Sequence, residues 1–98
     1  MYAVFRETTY PPDKPLHLQR EFKEFQDAHA KRHGYRGTIV TDAGNGRYLT
    51  VTLWETEDDM DAAREALGPV VERLLNPIMT TPAILLGTGR VVVDDLSR

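Results

Sequence analysis

Four side chains in this sequence have types and placements suited to chemistry on a small molecule: Arg6, His29, Tyr48 and Trp54. Arg6 stands beside Glu7 in a strand-like segment, so alternation sends the two to opposite faces and points one inward. An inward guanidinium needs an internal carboxylate or an anionic or carbonyl group of a ligand, whereas an Arg at a sheet rim is satisfied by water. His29 continues the apolar stripe Leu18, Phe22, Phe25. An imidazole there is suited to shuttling a proton in a half-buried cleft, or is simply a satisfied helix His. His33, one turn later, is expected in solvent near the helix end, where a positive charge is favoured. The two could share a metal across i, i+4, but no third His lies nearby and there is no HExxH pattern, so no metal is expected. Trp54 ends a strand directly before a helix start, placed either to anchor that junction or to stack on an aromatic ligand. Tyr48 and Tyr35 either offer phenol groups to a pocket or pack across strands.

Other chemistries find no support. A net charge of −3 and no dense basic cluster argue against a phosphate-backbone partner, because that affinity depends on clustered Lys and Arg. With no cysteine there is neither a disulfide framework nor a thiolate nucleophile. No Ser-His-Asp order can be assembled. The glycines of Ala43-Gly44-Asn45-Gly46 serve a turn and do not precede a helix, as a phosphate loop requires. No apolar run approaches eighteen residues and no basic segment leads into one, so a cytoplasmic protein with no membrane partner is expected.

The elements that must hold these residues are legible in the pattern. Residues 1 to 9 alternate as a strand, and Pro11, Pro12 and Pro15 end it. Pro15 is placed to open a helix, because its missing N–H would go unpaired in a first turn, and Gly34 is placed to cap that helix. Alternation returns from Tyr35 to Thr41 and from Tyr48 to Trp54, either side of a turn at Asp42 to Gly46. Thr56 with Asp59 resembles a capping box before a second helix along Met60, Ala63, Leu67, Val71, Leu74 and Ile78. Gly68-Pro69 is expected to divide that helix in two, and Pro77 to stop it. A last strand is expected from Ala83 to Val93, bulged at Gly87-Thr88-Gly89.

The order is βαββαβ in one domain over residues 1–98: an α+β, ferredoxin-like fold with a four-stranded antiparallel sheet and two helices on one face. The other face carries Leu49, Val51 and Leu53, too apolar to leave in water. A second copy related by a two-fold axis is the expected cover, giving a homodimer.

The entry Gly34-Tyr35-Arg36-Gly37, the turn Asp42 to Arg47 (D-x-G-x-G-R) and the junction Thr52 to Met60 (TLWETEDDM) resemble the antibiotic-biosynthesis-monooxygenase type of dimeric α+β barrel, over roughly residues 1 to 93. The resemblance implies a planar aromatic or polycyclic ligand bound between sheet and helices. It also implies, for some members, oxidation by O₂ with no bound cofactor. Haem-degrading relatives use a His on the second helix and an Asn on the first strand. Here no His follows His33, the only Asn residues are Asn45 and Asn76, and Arg6 stands about where that Asn would lie. Two functions follow: a cofactor-independent monooxygenase, or a non-catalytic ligand-binding or accessory domain. The expected pocket residues are Arg6, His29, Tyr48 and Trp54, and no cofactor is expected.

Overall fold

The computed structural model describes residues 1–96; Ser97 and Arg98, the last two of the span expected as one domain, lie outside the described residues. The chain runs β1 (Tyr2–Thr9), α1 (Arg20–Ala30), β2 (Tyr35–Gly44), β3 (Arg47–Trp54), α2 (Glu57–Leu74) and β4 (Thr81–Arg90). The strands form one sheet in the order β2-β3-β1-β4, with every neighbouring pair antiparallel. This is the ferredoxin-like α+β arrangement.

The hairpin turn and the start of α2 have local reasons. The β2–β3 hairpin turns through Gly44, Asn45 and Gly46, all at positive φ (93°, 57° and 79°), a conformation Gly and Asn enter at little cost. Asp42 Oδ1 accepts from the Gly44 N–H at 2.8 Å and closes the approach to the turn. Thr56 Oγ1 accepts from the Asp59 N–H at 3.1 Å, and acidic residues fill the first turn of α2, where the helix dipole favours them.

Several boundaries differ from the sequence expectation. Helix α1 ends at Ala30 with Lys31 as its cap, so Gly34 lies beyond the helix end and does not cap it, and β2 runs on to Gly44. Pro15 opens only a short 3₁₀ turn, Leu16–Leu18. Gln19 is extended, with ψ near 129°, and α1 starts at Arg20. Leu16 rather than Leu18 therefore goes into the core; Leu18 is 73% exposed. The helix α2 runs unbroken through Gly68-Pro69. A Pro disfavours the helical conformation of its predecessor by clashing with that residue's N–H and Cβ, and Gly68 has no Cβ. Buried Met60, Ala63 and Leu67 before it and Leu74 after it hold the two halves to one surface. Finally, β4 begins and ends earlier than expected, and the bulge expected at Gly87-Thr88-Gly89 is not there: those residues pair regularly with Phe5, Val4 and Ala3. The register against β1 shifts instead between Phe5↔Gly87 and Arg6↔Leu85, with Leu86 as the extra residue, and again between Glu7↔Ile84 and Thr9↔Thr81.

Strand alternation divides the sheet into two chemically distinct faces. Val4, Arg6, Thr8, Tyr48, Thr52 and Trp54 turn toward the helices. Phe5, Val51 and Ile39 form one row across the opposite face, and there Phe5 and Ile39 are about half exposed, at 47% and 49%. Within the layer between sheet and helices the buried side chains form two separate clusters. One gathers Val4, Trp54, Met60, Ala63 and Leu67; the other gathers Tyr10, Leu16 and Tyr48.

Candidate functional site

The two clusters do not meet. A cavity of about 400 Å³ opens between them, walled by both helices and floored by the sheet, within the ~300–1,000 Å³ that small-molecule sites usually occupy. From β1 come Val4, Arg6 and Thr8, from β2 Thr38 and Val40, and from β3 Thr50, Thr52 and Trp54. Helix α1 adds Phe22, Phe25, Gln26 and His29, and α2 adds residues at three- and four-residue spacing from Met60 through Arg64 and Gly68 to Glu72. Arg64, Glu72, Asn76 and Ala83 are the exposed members of this wall and mark its mouth.

The floor is polar where a core would be apolar. The Tyr35 hydroxyl donates to Thr38 Oγ1 at 2.8 Å, and Thr38 Oγ1 lies 3.3 Å from Thr52 Oγ1. The chain of hydroxyls runs beneath the aromatic end of the cavity. Thr50 sits in register with Arg6, so the next row toward the middle of the sheet is polar as well.

His29 is boxed by rings. Phe25 lies 5.0 Å away centroid to centroid, and Tyr35 and Trp54 each 5.3 Å. Its Nδ1 is buried without a hydrogen-bond partner among the described residues. Burial, aided by the positive charge of Arg6, pushes its pKa down to about 4. The C-terminal turn of a helix favours His⁺, but desolvation is the larger effect, so the imidazole is neutral at physiological pH. It is an acceptor or a weak base and not a charged donor.

Arg6 is the other polar group inside. Its side chain points into the cavity while Glu7, on the opposite face, pairs with Arg47. Burial lowers the pKa of Arg6, and the nearby Arg64 lowers it further. No internal carboxylate meets it: the one acid on the cavity wall, Glu72, makes no ion pair with it among the described residues.

Of the four expected pocket residues, Arg6, His29 and Trp54 share this wall. Tyr48 does not; it is buried beside Tyr10 (5.8 Å, edge-on), and its hydroxyl accepts from the Leu16 N–H at 3.1 Å. It fastens the 3₁₀ turn that closes one end of the layer. His33 points away from His29 and lies 2.9 Å from Asp59, so the i, i+4 pair does not converge. That contact is the main reason the Asp59 carboxyl sits below its usual range. Among the described residues no three His, Cys, Asp or Glu side chains are grouped to hold a metal ion.

The sequence reading passed over Arg64, Thr38, Thr50 and Thr52. Thr50 and Thr52 carried a signal, since polar residues sharing the parity of Trp54 on its own strand enter the layer with it. Arg64 carried a weaker one: it is flanked by buried Ala63 and stands four residues from Met60, on the edge of the apolar stripe.

No protein-family model and no curated protein matches the chain. Solved structures do. A protein of unknown function from Nitrosomonas europaea superposes with a TM-score of 0.76 at 10% identity, over 99% of this chain and 94% of that one. A mutant of SnoaB, a cofactor-independent oxygenase from Streptomyces nogalater, superposes at 0.71 and 13% identity, covering 97% of each chain. The fold is that of the antibiotic-biosynthesis-monooxygenase-like proteins. MhuD, a heme-degrader from Mycobacterium tuberculosis with two hemes bound in its active site, shares the fold at a TM-score of 0.66 and 26% identity, over 96% of this chain and 98% of that one.

The His and Asn that the resemblance assigns to haem degradation have no counterpart here. Within this fold the cavity-facing side of α2 carries Ala63, Arg64, Leu67, Gly68 and Val71, none of them a haem ligand, and Arg6 lies on the β1 wall. These residues do not fit that arrangement. Among the described residues, no helix is long and apolar enough to cross a membrane.

Proposed function

We propose that this protein binds a planar aromatic or polycyclic molecule in the cavity and oxidises it with O₂ without a resident cofactor. The observation that carries the reading is the composition of the wall. Aromatic rings at one end suit a flat conjugated ligand, and a guanidinium and a neutral imidazole face the same cavity.

A substrate with an acidic phenol or enol supplies its own electrons. Proton loss leaves an electron-rich anion; reaction of a ring CH₂ with O₂ then gives a carbonyl and water, so no external reductant is needed. Arg6 stabilises the anion electrostatically, an effect that grows as the ligand displaces water from the cavity. His29 is a weak base when the cavity is empty. An anion beside Arg6 offsets the charge that disfavours His29⁺, which improves the imidazole as a proton acceptor. Trp54 supplies a flat surface for stacking.

The row Phe5, Val51 and Ile39, exposed at Phe5 and Ile39, supports a homodimer that covers this sheet face. The second reading, a ligand-binding or accessory domain without turnover, is favoured by the absence of a strong base or nucleophile among the cavity residues.

Oxygen uptake with a panel of hydroxylated polycyclic compounds tests the proposal. Uptake with at least one member, reduced by roughly 10²-fold in Arg6→Met, is expected. Binding without uptake for every member would leave the accessory reading, and uptake indifferent to both Arg6→Met and His29→Phe would refute the site.

A further inference from the structure

Resting on the reading of the cavity as a small-molecule site, we propose that its ligand is an organic anion whose oxyanion, a carboxylate or an ionised phenol, lies between the Arg6 and Arg64 guanidiniums. Of the described arginines outside the cavity wall, Arg32 and Arg90 form no salt bridge, and the other four are paired. Arg20 pairs with Glu21, Arg36 with Glu55, Arg47 with Glu7 and Arg73 with Glu24. Arg6 and Arg64 face the cavity with no salt bridge and no hydrogen bond among the described residues.

A partly buried guanidinium whose donors the protein does not use is less favourable than a paired one, because it is partly desolvated without a replacement partner. Two of them near each other are worse, and Arg64 does oppose the charge on Arg6. One oxyanion between them turns that repulsion into two attractions, and a carboxylate matches the planar fork of Arg in a bidentate pair. Glu72 does not fill this role. It is exposed at the mouth and pairs with neither.

The positions of the two residues give the ligand a direction. Arg64 is exposed on α2 and Arg6 is partly buried on β1, so an anion meets Arg64 first and Arg6 deeper. Its ring system then lies toward Phe25, His29 and Trp54.

The test is calorimetric titration with three probes of one ring size: 2-naphthoate, 2-naphthol and 2-naphthalenemethanol. At pH 7 and low salt, 2-naphthoate is expected to bind about 10-fold or more tightly than the alcohol, the scale of a charge-assisted hydrogen-bonded pair. Arg6→Met and Arg64→Gln are each expected to narrow that ratio to about threefold or less. If the natural anion is an ionised phenol, the advantage appears instead for 2-naphthol as pH rises toward 9.5, with the same dependence on both arginines. The ratio of two affinities within one variant is insensitive to a general loss of binding, and exposed Arg64 gives a second variant should Arg6→Met fold poorly. Equal affinity for all three probes at both pH values, or an anion advantage that survives both substitutions, overturns the inference while the cavity reading stands. Failure of all three to bind removes the cavity reading and this inference together.

Discussion

Replacing His29 by Phe should make the protein less sensitive to acid. The ring slot among Phe25, Tyr35 and Trp54 accepts a phenyl group, so the exchange removes the titrating nitrogens with little change in packing. In the folded protein the His29 pKa is pushed from 6.5 down to about 4, while the unfolded chain keeps the ordinary value. The unfolded state therefore binds more protons below pH 6.5. The stability that comes from keeping His29 neutral is complete above that pH and drains away as pH falls toward 4. Between pH 7.5 and pH 5 the loss comes to about 2 kcal/mol, from 1.36 kcal/mol per pKa unit. That is a large part of the ~5–15 kcal/mol total of a typical domain. Urea unfolding of wild type and His29→Phe at the two pH values measures it: the wild type should lose about 2 kcal/mol more than the variant. Because carboxylates titrate alike in both proteins, the difference isolates His29. A gap between the two proteins that stays constant from pH 7.5 to pH 5 would refute the buried, uncharged imidazole. Arg6→Met, which removes the smaller cause of the shift, should move the His29 NMR titration upward by part of this amount.

Gly34→Ala should destabilise by about 2 kcal/mol or more, since Gly34 sits at φ +80° and a Cβ there would fall on the Asp59 carboxylate; left-handed backbone alone costs ~1–2 kcal/mol. A melting temperature lowered by less than about 4 °C would count against that account. On the open sheet face, Phe5→Glu places a charge in the row with Val51 and Ile39. Sedimentation should show the wild type at twice its 11.1 kDa and this variant as a monomer, and a wild type that sediments as a monomer at all concentrations would refute the proposed pairing.

The alternation of residues 1 to 9 and 48 to 54, the Gly and Asn residues of the hairpin and the Thr56 cap were enough to read the βαββαβ order, because period and turn chemistry are local properties of a chain. The Pro-bearing segments were less legible. Whether Pro15 opens an α-helix or a 3₁₀ turn depends on Leu16 finding a buried place beside Tyr10 and Tyr48. Whether Gly68-Pro69 breaks α2 depends on both halves burying against one sheet. Both outcomes belong to tertiary packing, which overrides local preference.

The candidate site divides in the same way. The sequence by itself determined that Arg6 and Glu7 face opposite ways, that His29 lies on the apolar stripe of a helix and that Trp54 ends a strand. Only the fold decided that Arg6 is the inward member, that Tyr48 spends its hydroxyl on the Leu16 N–H, and that Arg64, 58 residues along the chain from Arg6, faces the same cavity. The physical reason is that a strand or helix fixes the direction of a side chain from its neighbours in sequence. Which distant charges and rings then surround that side chain is fixed by how the layers close, and the desolvation that makes His29 neutral and leaves Arg6 in want of an anion exists only once they have closed.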